Sequence, residues 1–332
     1  MRRWLIRAGL ALLALVAVAI AALMLLWQKR PSLEPYQSLT LPAAPEGSPI
    51  RVRFAGVATL VFDDGDTAWM TDGFFSRPGV SKVFFSKIRP DEDAINRELK
   101  HLNITRLAAV VPVHSHYDHA MDSPLVAQRT GALLVGSAST INIGRGLGTA
   151  EDRMSVVTAG SVVEFGAWKL TFIPSRHSPT PFSDGKTSET VLTPLVTPAR
   201  ATAWKEGTVW SILAEHNSGR TILVQGSAGF EPGALAGRHA DTVFLGVGTL
   251  GKKTPEYRSQ YWNEVVKQVG ARRVIPIHWD DFFLPLDEPL VPMSILADDF
   301  SATMADLARF AQRDGVELRM APAFTPFTPF KP

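Results

Sequence analysis

Three of the chain's 8 histidines fall in the short stretch "HSHYDH", His114 to His119, directly after the apolar run "AAVVPV". The side chains able to coordinate there are His114, His116, Asp118 and His119. On an extended segment His114 and His116 project to the same side and can reach one ion. As the chain turns into a helix, Asp118 and His119 can face a point a few ångströms away, which is the layout of two adjacent metal positions. Zinc takes imidazole nitrogen and carboxylate oxygen at roughly 2 Å, and paired ions about 3.5–4 Å apart can hold a nucleophilic hydroxide between them. Surface histidines or a helix cap would explain any one of these residues, but not all of them at this spacing behind a buried strand. With Cys 0, thiolate ligands, a cysteine nucleophile and disulfides are all excluded, so any metal is held by His, Asp or Glu.

The elements that must position these residues are legible around them. From Ile50, "IRVRFAGVATLVFDDGDTAWMTDG" predicts two strands joined at the Asp-Asp-Gly-Asp turn, the second ending at Asp72. "DEDAINRELKHL" predicts a helix after an acidic first turn, and "RLAAVVPVHSH" a buried strand that ends in histidine. The same order recurs later. "PEYRSQYWNEVVKQVG" predicts a helix with proline at its start and Gly270 at its end, and "ARRVIPIHWDD" a strand that again ends in histidine, His278. The doubled order predicts two related α/β halves bringing the carboxyl ends of their strands to one edge, where open α/β sheets place ligands. Between them, "SVVTAGSVVEFGAWKLTFIPSRHS" alternates like antiparallel strands and runs into His177, and "GRTILVQGSAGF" is a strand entering a Gly-rich turn. The proline-rich C-terminal stretch "PAFTPFTPFKP" is expected on the surface.

Composition narrows the setting. The 332 residues, 45% hydrophobic, suit one large domain or two ordinary ones with an ample core. A formal net charge of +2 lacks the basic excess of a nucleic-acid binder, so no nucleic-acid partner is expected. Ala8 to Trp27 carries no charge and is long enough to span a bilayer, which needs about 20 residues. Arg2, Arg3 and Arg7 precede this run, and Lys29 and Arg30 follow it. That bias places the N-terminus in the cytoplasm and the rest of the chain outside it, in a periplasm or at the cell surface. The rival is a cleaved signal peptide, because "AVAIAA" offers small residues at cleavage-like spacing, but the apolar run continues through Leu23 to Trp27. Residues 31–49, rich in proline and small polar residues, read as a linker lifting the domain off the membrane. The expected division is an anchor over 1–30, a linker over 31–49 and a single domain over 50–332.

On the residues "HSHYDH", His177 and His278, the chain over roughly Ile50 to Phe283 resembles the metallo-β-lactamase-fold hydrolases, whose signature is His-x-His-x-Asp-His at a strand-to-helix turn. The resemblance implies an α/β fold, a four-layer αββα sandwich of two half-domains. It implies that His114, His116 and His177 bind a first metal, and that Asp118, His119 and His278 bind a second. The metal implied is zinc, one ion or two, although iron and manganese suit the same donors. The words around His278, Pro276 to Trp279, look most like the branch of ascorbate-phosphate lactonases and N-acyl-phosphatidylethanolamine phospholipases D. The family usually carries a metal-bridging aspartate in a Gly-Asp turn; here "ILVQGSAGF" puts Ser227 at that position. A neutral hydroxyl is a poorer ligand and supplies no negative charge between two ions. One tight metal, two with the second weakened, or lost hydrolysis are the readings this leaves, with Ser227 at most a weak ligand.

Other residues carry paired readings. Asp72 is either an acid orienting a ligand imidazole or a turn former before Gly73. Asp241 reads as a strand-entry residue and Gly248 as a close-approach glycine, while Asp280 and Asp281 either line the cleft or form a solvated turn. His101, His216 and His239 are expected at the surface or in loops. Ser178 to Glu206, rich in Pro, Thr and Ser, is a long insertion beside His177, either a lid or substrate wall or a loop without a role. Phe74, Phe75, Phe182, Trp279, Phe282 and Phe283 could form an apolar wall of the site, although most large aromatics are core. The expectation is a membrane-anchored, zinc-dependent hydrolase in which a metal-bound hydroxide, positioned by Asp118, attacks an ester, phosphodiester or lactone of a small-molecule or lipid substrate. The alternative is a noncatalytic metal-binding envelope protein of the same fold.

Overall fold

Short apolar runs rich in Val, Ile, Leu and aromatic residues pair into two sheets. The first contains β1 (Arg51–Phe54), β2 (Leu60–Asp63), β3 (Ala68–Thr71), β4 (Ala109–Val111), β5 (Leu133–Gly136) and β6 (Met154–Val156), in that spatial order. In the computed structural model, which describes residues 2–180 and 189–331, β1 to β3 are antiparallel and β3 to β6 parallel. The second sheet contains β7 (Val162–Phe165), β8 (Trp168–Ser175), β9 (Val209–His216), β10 (Thr221–Gln225), β11 (Thr242–Gly246), β12 (Arg273–Ile277) and β13 (Glu317–Leu318). It repeats the pattern, antiparallel from β7 to β10 and parallel from β10 to β13. The helices are α1 (Arg2–Gln28), α2 (Val80–Phe85), α3 (Glu92–His101), α4 (Tyr117–Ala120), α5 (Ser123–Thr130), α6 (Ala138–Gly146), α7 (Pro255–Trp262) and α8 (Phe300–Asp314).

The inner faces of the sheets meet in one core. Phe62 on β2 lies 6.1 Å from Trp168 on β8 and 5.7 Å from Phe244 on β11, ring centre to ring centre. Outside, α5 and α6 pack on β4 and β5, while α7 and α8 pack together on the second sheet's side. These are the four layers expected. Local chemistry sets the helix ends. Asp91 accepts from Ala94 N–H at the start of α3, Asp299 does the same for Ala302 before α8, and Gly131 and Gly315 close α5 and α8 in the left-handed conformation. The predicted helix from Pro255 forms, capped by the Thr254 side chain, and continues through a π-helical turn over Asn263–Lys267.

Three expectations need correction. The region from Ile50 to Asp72 forms three strands, because the chain turns at Gly56 and Val57, both at positive φ, and Thr59 N–H bonds back to Gly56. A Cβ on Gly56 would lie 1.9 Å from the Arg77 guanidinium, so only glycine fits over that side chain. The C-terminal stretch is not simply superficial: Phe327 is fully buried and exchanges both backbone hydrogen bonds with Val52, on the outer edge of β1. Residues 31–49 do not hang free either. Tyr36 packs edge-on against Phe300, Thr40 and Leu41 pair with Met320, and Ala44 N–H donates to Pro326. Apolar side chains at Leu33, Tyr36, Leu39 and Leu41 provide the surface for this docking.

Candidate metal centre

The strands deliver their carboxyl ends to one edge. β4 leads into His114 and His116, β8 into His177, β10 into Ser227, β11 into Gly248, β12 into His278 and β3 into Asp72. β4 is short, wholly buried and apolar, so it leaves the inner sheet just as the polar motif begins. The motif then turns into α4, which carries Asp118 and His119.

Two donor triads result. The ligand atoms of His114, His116 and His177 lie within 4.8 Å of one another, as do those of Asp118, His119 and His278. His114 Nε2 faces His116 Nδ1 at 3.1 Å, and Asp118 Oδ2 lies 3.6 Å from His119 Nε2 and 3.5 Å from His278 Nε2. The triads adjoin, since the rings of His114 and His119 are 3.9 Å apart. His114 is 1% exposed, His119 0% and Asp118 8%.

Protonation suits metal binding at the first triad and at Asp118. Burial, reinforced by neighbouring imidazoles, pushes His114 well below its ordinary value. Burial also lowers His116 to about 4, against the opposing pull of Asp118, and lowers His177 to about 3 with help from His116. All three are therefore neutral donors at physiological pH. Burial opposes the charged form of Asp118, but His119 and a hydrogen bond from His278 hold its carboxyl well below the usual range. His119 shifts the other way: burial disfavours its cation, yet Asp72 and Asp118 raise it overall.

For His119 and His177, a partner on the far ring nitrogen orients the imidazole, whereas Nδ1 of His114 and of His278 is buried without a partner among the described residues. Asp72 Oδ2 lies 2.6 Å from His119 Nδ1, leaving Nε2 to face the site, and its Oδ1 accepts from Val113 N–H at 2.9 Å. Asp72 is thus the orienting acid, and it also stands in a turn at φ 55°. His177 Nδ1 donates to Ser178 O at 2.8 Å and so presents Nε2. His119 Nε2 is buried without a hydrogen-bond partner among the described residues, as expected of a nitrogen reserved for a cation. The residues present therefore fit a metal pair.

Ser227 is 5% exposed and borders the same small pocket of about 210 Å³ as His116, Asp118, His177 and His278. Its Oγ accepts from Ser178 N–H at 2.9 Å, which fixes the backbone beside His177. Gly248 is a close-approach glycine: a Cβ would meet His278 Nδ1 at 2.9 Å. Asp241 accepts from Thr221 N–H at strand entry and pairs with Arg272.

Asp280 and Asp281 form neither cleft wall nor solvated turn. Asp280 is fully buried, pairs with Arg77 at 2.6 Å and accepts from Val57 N–H at 2.7 Å; Asp281 takes Arg30 at 2.5 Å. Both lock the His278 loop, whose backbone is held at φ 59° with His278 N–H on Val57 O. Sequence reasoning missed Arg77, because nothing in "SRPG" signals a partner more than two hundred residues away. His101 stacks on Phe324, His216 packs on Trp168 beside Asp64, and His239 stays exposed near Asp241; none joins the site. His216 is thus a packed side chain between the sheets' edges.

Beside the triads opens a cavity of about 930 Å³, bordered by His116, Tyr117, Asp118, Lys205, Glu206 and Phe283. The described part of the insertion after His177 supplies its wall from Arg200 to Glu206, with Trp204 buried behind. Burial raises the Glu206 carboxyl to about 7. Of the proposed aromatic wall, Phe74, Phe75 and Trp279 are core, Phe282 and Phe283 lie beside the site, and Phe182 falls outside the described residues.

No protein-family profile matches the chain. A UPF0173 metal-dependent hydrolase of Pyrobaculum arsenaticum is 24% identical over 277 residues, 82% of this chain and all of that protein. Among solved structures, a metal-dependent hydrolase from Veillonella parvula superposes with a TM-score of 0.52 at 14% identity, over 85% of this chain and 100% of that one. YhfI of Bacillus subtilis, a metallo-β-lactamase-fold protein, does so at 0.50 and 12%, over 85% and 100%. CmlA, a diiron β-hydroxylase of Streptomyces venezuelae, reaches 0.50 at 13%, over 85% of this chain and 54% of that one. The chain has the metallo-β-lactamase fold, and the relative it resembles along most of its length is a metal-dependent hydrolase.

Proposed function

We propose that the chain is a membrane-anchored hydrolase in which His114, His116 and His177 hold one zinc ion and Asp118, His119 and His278 a second, acting on an ester, phosphodiester or lactone. The observation that carries this reading is the convergence of six donors from three separated segments into two adjoining triads, each within 4.8 Å. A bound divalent ion would supply Lewis acidity and lower the pKa of water at the site. The chain's own residues do the rest. Asp72 and Ser178 O fix the ligand tautomers, and ionised Asp118 stands between the imidazoles of His119 and His278. The cavity beside them offers Arg200 to an anionic substrate group, while Lys205 on the same wall is paired with Glu189. The Pro-Ile-His-Trp wording at Pro276–Trp279 favours the phosphodiester and lactone classes over a β-lactam. Ile6–Gln28 anchors the chain, with the domain outside the cytoplasm on the arginine bias at its start.

Metal analysis of the purified full chain, together with hydrolysis of an activated phosphodiester and a lactone panel, tests this. His116→Ala is expected to lose metal and turnover together. Bound metal without turnover on any ester would overturn the enzyme reading. Ser227 supports a second reading, a noncatalytic metal protein, because its hydroxyl is already committed to Ser178 N–H. Activity that arises only in Ser227→Asp would favour it, and wild-type activity would end it.

A further inference from the structure

The end of α1 is built into the loop that carries His278. Ser294 Oγ donates to Leu26 O, Ile295 N–H to Lys29 O, and Arg30 reaches the buried Asp281. An aromatic series continues from that junction to the metal ligands. Trp27 lies 6.3 Å from Phe283, Phe283 4.6 Å from Phe282, and Phe282 5.8 Å from the ring of His278. Phe84, on α2, touches Phe283 at 6.4 Å and borders the large cavity.

The same face exposes apolar side chains that fold stability does not explain. Phe84 is 61% exposed and Phe85 81%, while Ile295 and Leu296 beside the α1 junction are 38% and 40% exposed. Scattered exposed aliphatics are ordinary, but two adjacent phenylalanines continuous with the end of an apolar helix are not. The pair sits within "KVFFSKIR", and Lys82, Lys87 and Arg89 are exposed with no ion-pair partner among the described residues. Aromatic side chains flanked by basic ones suit the headgroup layer of an anionic membrane.

We propose that Phe84, Phe85 and Phe283, with Trp27 at the end of α1, form a bilayer-docking surface that seats the cavity mouth on the leaflet from which α1 emerges. The occupant is the lipid surface itself, because α1 leads directly into the patch and the Arg30–Asp281 pair limits how far the domain can swing from it. Phe84 and Phe85 enter the acyl boundary, and the three basic side chains meet lipid phosphates. The proposal rests on α1 spanning the membrane and is independent of turnover.

A chain with Cys 0 allows a clean test. The full-length Phe85→Cys variant, labelled with an environment-sensitive fluorophore, is reconstituted into vesicles of phosphatidylcholine and phosphatidylglycerol. Val162→Cys, on the β7 edge strand and 49% exposed, is the reference. Blue-shifted emission at position 85, quenching by lipid-borne spin labels and loss of quenching by aqueous iodide are expected, with the opposite at 162. A label at Phe84→Cys should report the same and guards against a local effect of one substitution. Position 85 behaving like 162 in vesicles that float with the protein would overturn the docking alone. Failure of the protein to float with the vesicles would overturn the anchoring and the docking with it.

Discussion

In the proposed metal pair Asp72 would act chiefly through His119, its other oxygen holding only the Val113 backbone, so its effect is separable from that of the ligands. Asp72→Asn keeps the shape of the side chain but removes the charge that fixes His119. It is expected to weaken the Asp118, His119 and His278 triad by about 10- to 100-fold in metal affinity, leaving the other triad unchanged, as chelator competition would read. Equal affinity in both proteins would sink the assignment. Glu206 gives a pH signature. Burial raises its carboxyl from the ordinary 4.5 to about 7, so the folded chain keeps a proton that the unfolded chain releases. Stability therefore falls as pH rises from 4.5 to about 7, by the linkage between proton binding and folding. In chelator-treated protein, Glu206→Gln should flatten that decline, and an unchanged slope would show that Glu206 does not cause it. His114, His116, Asp118 and His119 were legible as donors from their spacing behind a buried strand, whereas their grouping with His177 and His278 rested on the family resemblance, although both follow strands. The function of Ser227 was not legible, because the bond from Ser178 N–H depends on how two distant loops meet.

At the scale of elements, the His278 loop is held by charge. Arg77 and Asp280 are both buried and 2.6 Å apart, and the turn at Gly56 and Val57 closes over them. Arg77→Ala should cost about 3–5 kcal/mol, because it strands a buried carboxylate, and should lower metal occupancy of the second triad with it. Adding Asp280→Asn should recover part of the stability in urea unfolding. A loss under about 1 kcal/mol would mean that water replaces the guanidinium. The doubled helix, strand, histidine order was readable because periodicity and capping are local. The break at Gly56 was not: "FAGVAT" has the pattern of an uninterrupted strand, and the reason to turn there is an ion pair supplied by residues 77 and 280. Asp280 and Asp281 were misread for the same reason, since their arginine partners lie far away in sequence.

Across the whole molecule, the candidate metal site lies on the seam between two halves whose ends are cross-fastened. The segment 31–49 pairs with Met320 and Pro326 of the second half, and Phe327 pairs with Val52 of the first. A chain ending at Ala321 should lose the cover of the β1 edge and unfold at lower urea concentration, with metal released in the same transition. Separate transitions for metal loss and unfolding would show that the seam does not depend on the tail. The apolar composition of "PAFTPFTPF" was visible, but proline concealed its strand pairing: Phe327 supplies the N–H and C=O between flanking prolines that cannot donate. The tail also imposes an order on biosynthesis. While the chain is still being made, α1 has long since emerged, yet His278 is missing and the outer edge of β1 is bare. The nascent protein is a tethered half-sandwich with an open strand edge, the state most exposed to mispairing. The first triad is complete once His177 is made and the second once His278 is, 49 residues before Phe327 closes that edge, so the donors are assembled ahead of the cover that holds their seam.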